Sequence, residues 1–534
     1  MAAGETMAAA GRSLIGFKEG AQGGAKFRAY NPATGEPLDP EFHSASSDEV
    51  DAAARLAAEA FISYRELSGA AKAEFLNAIA KNIEARTEQL VERAHLESAL
   101  PKNRLNGETI RTCSQLRTFA RVVREGSWVN ARIDRAEPDR KPIPKPDIRS
   151  MWLPLGPVVV FAASNFPLAF SVAGGDTASA FAAGNPVIVK AHPAHPGTSQ
   201  LVGEAIREAV RARGLHEGTF SLVFDSGIAV GTRLVEHPLV KGVGFTGSLA
   251  AGRALMNLAA GRPEPIPFYG EFGSTNPLFL LPGAMAARGT KIAEDLYGSF
   301  TLGAGQFCTK PGLVFVGDDK YRDFVGVLKN KVESAPTFAL LTKGISTAYA
   351  NEVKRRESDR ALQSVAAGAP GGNGGYSVGV GLYETEMSSF MANDRLAHEH
   401  FGPSTILVRY TNKEQILDAA RKLEGHLTAT IHGTEDDLRE FAELISILEQ
   451  KVGRIIFNGF PTGLEVCDAV VHGGPYPATS DGRSTSVGTM AIFRFARPVC
   501  YQGFPDPGLP AELKNANPLG IWRMVDGKTT QGAI

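Results

Sequence analysis

One cysteine and one glutamate in this chain sit where side chains could do covalent chemistry. Cys308 lies in Gly303-Ala304-Gly305-Gln306-Phe307-Cys308-Thr309, and Glu271 lies in Tyr269-Gly270-Glu271-Phe272-Gly273-Ser274. Most cysteines are buried and inert; small neighbours here leave room for a substrate to approach the sulfur. A free thiol has a pKa of about 8.5, so little of it is nucleophilic thiolate at neutral pH unless a cation or a helix N-terminus is near. A glutamate in an apolar, glycine-rich setting is partly desolvated, which raises its pKa toward that of a neutral-pH base; a salt-bridged surface glutamate is the other reading. A thiolate nucleophile with a separate carboxylate base is the pair needed to oxidise an aldehyde to an acid through a thioester. Asn165, in Ser164-Asn165-Phe166-Pro167, follows an apolar run. Its amide could donate to a developing oxyanion, worth on the order of 3 kcal/mol, or simply form a turn.

A second set of residues suits an anionic ligand. Gly242-Val243-Gly244-Phe245-Thr246-Gly247 matches the spacing G-x-G-x-x-G between a strand and a helix, the context of a phosphate-binding turn. A chain with 58 glycines also produces that spacing by chance. Ser248 either adds a hydroxyl at the helix end or only caps it. Lys190 ends a strand, where ligands of open α/β sheets bind, or is a solvated strand-end lysine.

The elements that must position these residues read as α/β. Ser46 and Glu49 have capping-box spacing. Strands are expected at 148–155, 158–161, 187–190, 220–224 and 240–245, with helices at 168–183, 198–213, 229–236 and 248–260. Such alternation argues for a parallel sheet covered on both faces. Residues 136–147 hold four prolines and read as an extended linker. A second α/β unit is placed at about 276–475, with 368–381 as a loop or hairpin, and a further exposed strand at 484–495.

The chain has 534 residues, a formal net charge of −1 and no long basic run, so nucleic-acid binding has no electrostatic support. Its length implies two or three domains. Four cysteines are too few for a disulfide framework and suit a reducing compartment. Residues 1–17 contain Glu5 and no unbroken apolar core, so they do not read as a signal peptide. No apolar run is long enough for a membrane span. The expectation is a cytoplasmic enzyme without membrane or nucleic-acid partners and without a metal.

Asn165-Phe166-Pro167, Lys190, Phe245-Thr246-Gly247-Ser248, Glu271-Phe272-Gly273, Gly305-Gln306-Phe307-Cys308 and Glu399-His400-Phe401-Gly402-Pro403, in this order, resemble the aldehyde dehydrogenase superfamily. The resemblance implies a Rossmann-type nucleotide-binding domain (1–146 and 156–275), an α/β catalytic domain (276–480), and an oligomerisation arm with a C-terminal tail (147–155 and 484–534). It implies NADP or NAD as cofactor, a small aldehyde as substrate, and a homodimer or homotetramer. Cys308 would attack the aldehyde, Asn165 and the Cys308 N–H would hold the oxyanion, and Glu271 would activate water. Lys190 would bind the adenosine ribose, Ser248 the pyrophosphate and Glu399 the nicotinamide ribose, with His192, Phe245, Gly247 and Phe401 in the same cofactor site.

Two departures from the commoner family pattern stand out. After the base, Phe272-Gly273-Ser274-Thr275 replaces a leucine, two glycines and a lysine. Three residues after Lys190, Pro193 replaces the glutamate of NAD-preferring members, which removes repulsion toward a 2′-phosphate. With the tail 472–480, both look like the branch of α-ketoglutaric semialdehyde (2,5-dioxovalerate) dehydrogenases, whose reaction yields 2-oxoglutarate. In that branch a histidine at the position of His472 lies near the cysteine and glutamate; a backbone-bonded loop histidine is the alternative. Phe166, Phe307 and Phe460 are candidate substrate walls. Arg111 and Arg117 are candidates for a substrate carboxylate. Competing readings are an NADP-dependent dehydrogenase of long-chain or other aliphatic aldehydes, a coenzyme A-acylating enzyme, and a cysteine hydrolase using Cys308 and His472.

Overall fold

A computed structural model describes residues 11–372 and 374–534. The signal-peptide expectation falls mainly on residues 1–10, outside the described residues. Ser46 caps the helix Ser47–Tyr64, and the Glu49 carboxylate takes the Ser46 N–H in return, so the capping box forms as read.

Five parallel strands make the first sheet, in the spatial order Phe268–Glu271, Gly242–Thr246, Val158–Phe161, Val187–Lys190, Phe220–Val223. Antiparallel Leu14–Ile15 and Lys18–Glu19 close its far edge. Burial on both faces explains runs such as Val158, Val159 and Val160. The order reverses between Gly242–Thr246 and Val158–Phe161. Register pairs Phe245 with Phe161 and Thr246 with Glu271, so the loops carrying Asn165 and Ser248 leave the same edge side by side. That reversal is where open α/β sheets bind ligands.

The second sheet has the order Gln363–Ala367, Gly381–Glu386, Ser404–Tyr410, Leu313–Gly317, Leu278–Leu280, His426–His432, Val452–Phe457. All its pairings are parallel except that of Gln363–Ala367. Cys308 precedes Leu313–Gly317, and Glu271 ends a strand of the first sheet. The site therefore forms where the carboxyl edge of one sheet meets the amino edge of the other. A third sheet runs Ala496–Gln502, Ile148–Pro154, Arg132–Asp134, Arg523–Val525, Lys528–Thr530.

Three expectations need correction. The helix expected over 168–183 is only Gly175–Ala183; the N–H groups of Leu168 and Ala169 donate instead to Glu108 Oε1 at 2.9 and 3.0 Å. The G-x-G-x-x-G glycines are not a phosphate turn. Gly242 and Gly244 lie inside the strand Gly242–Thr246, and a Cβ on Gly244 would come within 2.8 Å of Asp176 Oδ2. Gly247 alone sits in the turn that follows. Finally, 484–495 is no strand: it ends in the 3₁₀ helix Thr489–Phe495, whose Ala491, Ile492 and Phe495 are fully buried in the first sheet's core. The strand that pairs with Ile148–Pro154 is Ala496–Gln502, next along the chain. Among the described helices none is long and apolar enough to cross a membrane.

Candidate active site

The chain reaches Cys308 through three consecutive left-handed residues, Gly303, Ala304 and Gly305, with φ of 56°, 61° and 67°. A Cβ on Gly305 would meet Gly402 O at 2.3 Å, so only glycine permits that approach. Asn276, itself left-handed at φ 48°, clamps the loop from below. Its Nδ2 donates to Cys308 O at 2.8 Å and Lys310 O at 3.0 Å, and its Oδ1 accepts from Thr428 at 3.0 Å.

His472 joins the sulfur to the carboxylate. Its Nε2 lies 3.5 Å from Cys308 Sγ and 3.1 Å from Glu271 Oε1. The donor atoms of all three residues fall within 4.8 Å of one another. Glu271 Oε2 accepts from Ser486 Oγ at 2.6 Å, and the His472 N–H donates to Thr485 Oγ1 at 2.9 Å. The strand end is held by Phe272 N–H donating to Ala478 O at 2.8 Å. Thus the segment 472–486 is laced to the glutamate's own strand.

The electrostatics reverse one expectation. Burial pushes the Glu271 carboxyl up, but the His472 charge and hydrogen bonds from His472, Ser486 and Cys308 outweigh it and hold it at about 2. Glu271 is a stabilised anion, not the raised-pKa acid expected from its apolar neighbours. Burial first, then the adjacent Glu271 charge, pushes the Cys308 thiol well above its ordinary value.

A cavity of about 690 Å³ opens over the sulfur. It is lined by Asn165, His192, Gly247, Ser248, Cys308, Glu399 and Phe401 among others. Asn165 Nδ2 donates to Gln306 O at 3.0 Å, which leaves its second amide hydrogen unassigned. Ser248 is the N-cap of the helix Leu249–Gly261, accepting from Ala251 N–H at 3.4 Å. The positive end of that helix therefore faces the cavity. Glu399 approaches the backbone at Gly273, where a Cβ would lie 2.2 Å from its Oε2. Burial pushes Glu399 up and Lys310 down, each charge offsetting part of the other's shift. Lys310 Nζ donates to His400 O and Ser404 O at 2.9 and 2.8 Å, fixing the loop that carries Glu399. A helix end, glycine turns and a buried acid around a long cavity suit a nicotinamide dinucleotide.

Other expected residues divide. Lys190 Nζ donates to Asp225 O at 3.0 Å, and burial lowers it to about 8; it and Phe245 do not line the cavity. Phe245 packs instead in the core on Phe161 and Phe268, each at 5.8 Å. Phe166 and Phe307 meet edge to face at 5.1 Å, outside that cavity's lining. Phe460 lies on the His432 ring at 4.9 Å, outside that cavity's lining. Arg117 is removed from the site: its guanidinium grips Glu84 on the surface with two bonds of 2.6 Å. Arg111 lies over the Phe170 ring at 5.0 Å, also outside that cavity's lining. Sequence reading missed Ser486, Asn276, Lys310 and Arg104. Lys310 alone carried a signal, being a lysine at the head of an apolar strand.

Comparison with known proteins agrees with this geometry. Residues 17–475 match the model of the aldehyde dehydrogenase family. The chain is 50% identical over 520 residues to alpha-ketoglutaric semialdehyde dehydrogenase 2 of Azospirillum brasilense, covering 97% of this chain and 99% of that protein. It is 45% identical to alpha-ketoglutaric semialdehyde dehydrogenase of Acinetobacter baylyi, covering 98% and 99%. The NAD+ complex of an aldehyde dehydrogenase from Bacillus cereus shares the fold, with TM-score 0.78 and 21% identity over 92% of this chain and 96% of that one. With its cysteine and asparagine lining one cavity, the glutamate tied to that cysteine through His472, and the family match spanning most of its length, this chain belongs to the aldehyde dehydrogenase family.

Proposed function

We propose that this protein oxidises α-ketoglutaric semialdehyde to 2-oxoglutarate with a nicotinamide coenzyme, NADP or NAD, through a thioester on Cys308. The observation that carries the reading is the buried chain Cys308–His472–Glu271 beside a cavity ended by Asn165 and Glu399. The substrate is supported by two relatives of that name at 45–50% identity over nearly the whole chain.

In this reading the Cys308 thiol, with His472 Nε2 3.5 Å away, gives up its proton to water in the cavity and adds to the aldehyde carbon. The free Asn165 amide hydrogen and the Cys308 N–H receive the oxyanion. The coenzyme, when bound, would supply the hydride acceptor. Ser248 and the helix N-terminus behind it would hold its pyrophosphate, with Gly247 and His192 lining the same cavity; Lys190, beyond that lining, would hold the adenosine ribose, and Glu399, with Phe401, the nicotinamide ribose. Glu271, with His472, then takes a proton from the water that attacks the thioester carbonyl, and the acid leaves as the thiol reforms.

The division into nucleotide-binding residues 1–146 and 156–275 and catalytic residues 276–480 belongs to the same proposal. So do assembly as a homodimer or homotetramer through the edge strand Ala496–Gln502 and a cytoplasmic location. The test is direct: purified protein with α-ketoglutaric semialdehyde and NADP or NAD, without coenzyme A, should reduce the coenzyme. A requirement for coenzyme A, or ester cleavage as the sole activity, would defeat the reading.

A further inference from the structure

The helix Lys102–Glu125 puts Arg104, Glu108 and Arg111 on one face, at spacings of four and three. That face covers an aromatic wall. Arg111 lies 5.8 Å from the Phe166 ring and 5.0 Å from Phe170, and Phe170 touches His472 at 6.3 Å. Arg104 sits over Phe166 and Phe307 at 5.0 and 4.7 Å. The two arginines are used differently. Arg104 donates to Asn165 O at 2.8 Å, so it positions the loop of the oxyanion donor. Arg111 has no such bond among the described residues: its Nε and Nη2 are buried and unpartnered.

Glu108 is the nearest opposing charge to Arg111 but makes no hydrogen bond to it among the described residues. One Glu108 oxygen holds the Leu168 and Ala169 N–H groups, and the other is buried without a partner. In this half-buried guanidinium two buried, idle donors are costly unless an acceptor arrives. Its planar fork matches a carboxylate. Through Phe170, Arg111 lies one ring from His472, and after Glu108 its charge is felt at Cys308 and Glu271.

We infer that Arg111 is the specificity residue of the site, receiving the carboxylate of an aldehyde acid whose aldehyde carbon rests at Cys308. Phe166, Phe170 and Phe307 flank the intervening carbons. The inference rests on the proposed substrate and deepens it: the enzyme selects ω-aldehyde acids by their far charge, and uncharged aldehydes of equal length lack the contact.

Kinetics of α-ketoglutaric semialdehyde, pentanal and the competitive inhibitor glutarate test this on wild type, R111K and R111M. R111M is expected to lose about 100-fold in kcat/KM for the semialdehyde, mostly in KM, because a desolvated charge contact is removed. The semialdehyde-to-pentanal ratio of kcat/KM should fall by about 30-fold or more, because any effect of the Arg111 charge on Cys308 and Glu271 is shared by both aldehydes, and R111K should recover part of the loss. Glutarate should compete with pentanal in the wild type and cease to compete in R111M. Equal losses on both aldehydes, or glutarate competition that survives R111M, would overturn the assignment. Failure of glutarate to compete in the wild type would overturn it without any variant. A wild type that prefers pentanal, yet is inhibited by glutarate through Arg111, would instead remove the proposed substrate and keep the arginine's role.

Discussion

Glu271 Oε1 faces His472 Nε2 at 3.1 Å in a place where the two residues are only 3% and 1% exposed. The other carboxylate oxygen is taken by Ser486 at 2.6 Å, so the carboxylate is oriented from both sides. A base held this way acts on water after the thioester exists, and nothing in the first acylation depends on its full charge. Glu271→Gln is therefore expected to keep a stoichiometric burst of reduced coenzyme. Steady-state turnover should fall by about 10²–10⁴-fold, the usual contribution of a positioned base. Rapid-mixing absorbance measures both phases, and loss of the burst would move Glu271 to an earlier step.

His472 supplies most of what holds the Glu271 carboxyl at about 2 against the opposing effect of burial. The sign follows from the direction of the shift. A depressed carboxyl is ionised, and its contribution present, above its pKa, and that contribution is lost as pH falls through it. With His472 replaced by Asn, burial is left with less opposition and the Glu271 pKa rises. The acid limb of the kcat profile should move upward by at least about one pH unit relative to wild type. An unmoved acid limb in H472N would mean that Ser486 and Cys308 suffice to hold the anion.

The thiol responds in the opposite sense. Cys308 is pushed up by burial and then by the Glu271 charge, so the coenzyme-free enzyme should react slowly with iodoacetamide near pH 7. Glu271→Gln removes the second cause and leaves the first, lowering the thiol pKa and raising the thiolate fraction at pH 8. Alkylation of Cys308, followed by mass spectrometry, should be faster in E271Q by about threefold or more. Slower labelling would show that Glu271 takes up the thiol proton in the resting enzyme.

What the sequence could disclose depended on whether the governing contact was local. Ser46 and Glu49 cap their helix through neighbours three residues apart, and the run Val158, Val159, Val160 announces a doubly buried strand. Cys308, Glu271 and Asn165 were legible because their loops lie at strand ends, where side chains have room. Gly242 and Gly244 misled because the space they leave belongs to Leu155 and Asp176 rather than to a phosphate. Asp176 is in turn fixed by Arg494 at 2.5 Å, a pair 318 residues apart with no local trace. The segment 484–495 has strand-like composition, but Ala491, Ile492 and Phe495 are claimed by a distant core. Glu271 showed its apolar neighbours in sequence; the histidine and serine that reverse their effect are 201 and 215 residues away.

Pro193 bears on which coenzyme is used. It follows His192, whose Nδ1 accepts the Ala194 N–H at 3.1 Å, just past the strand that ends in Lys190. The adjoining cavity presents Thr342, Lys343 and Ser346, and no carboxylate is among its lining residues. A 2′-phosphate bound in that cavity would thus meet Lys343 and hydroxyls, while Lys190 beside it already feels the Asp225 charge. The wild type is expected to accept NADP with kcat/KM at least comparable to that for NAD. Pro193→Glu restores a like charge and should lower the NADP-to-NAD ratio of kcat/KM by about tenfold or more, equivalent to about 1.4 kcal/mol. Thermal melts with each coenzyme separate binding from chemistry, since the stabilisation by NADP alone should shrink in the variant. A wild type favouring NAD by more than about tenfold, or a P193E variant with an unchanged ratio, would show that the 2′-phosphate lies elsewhere.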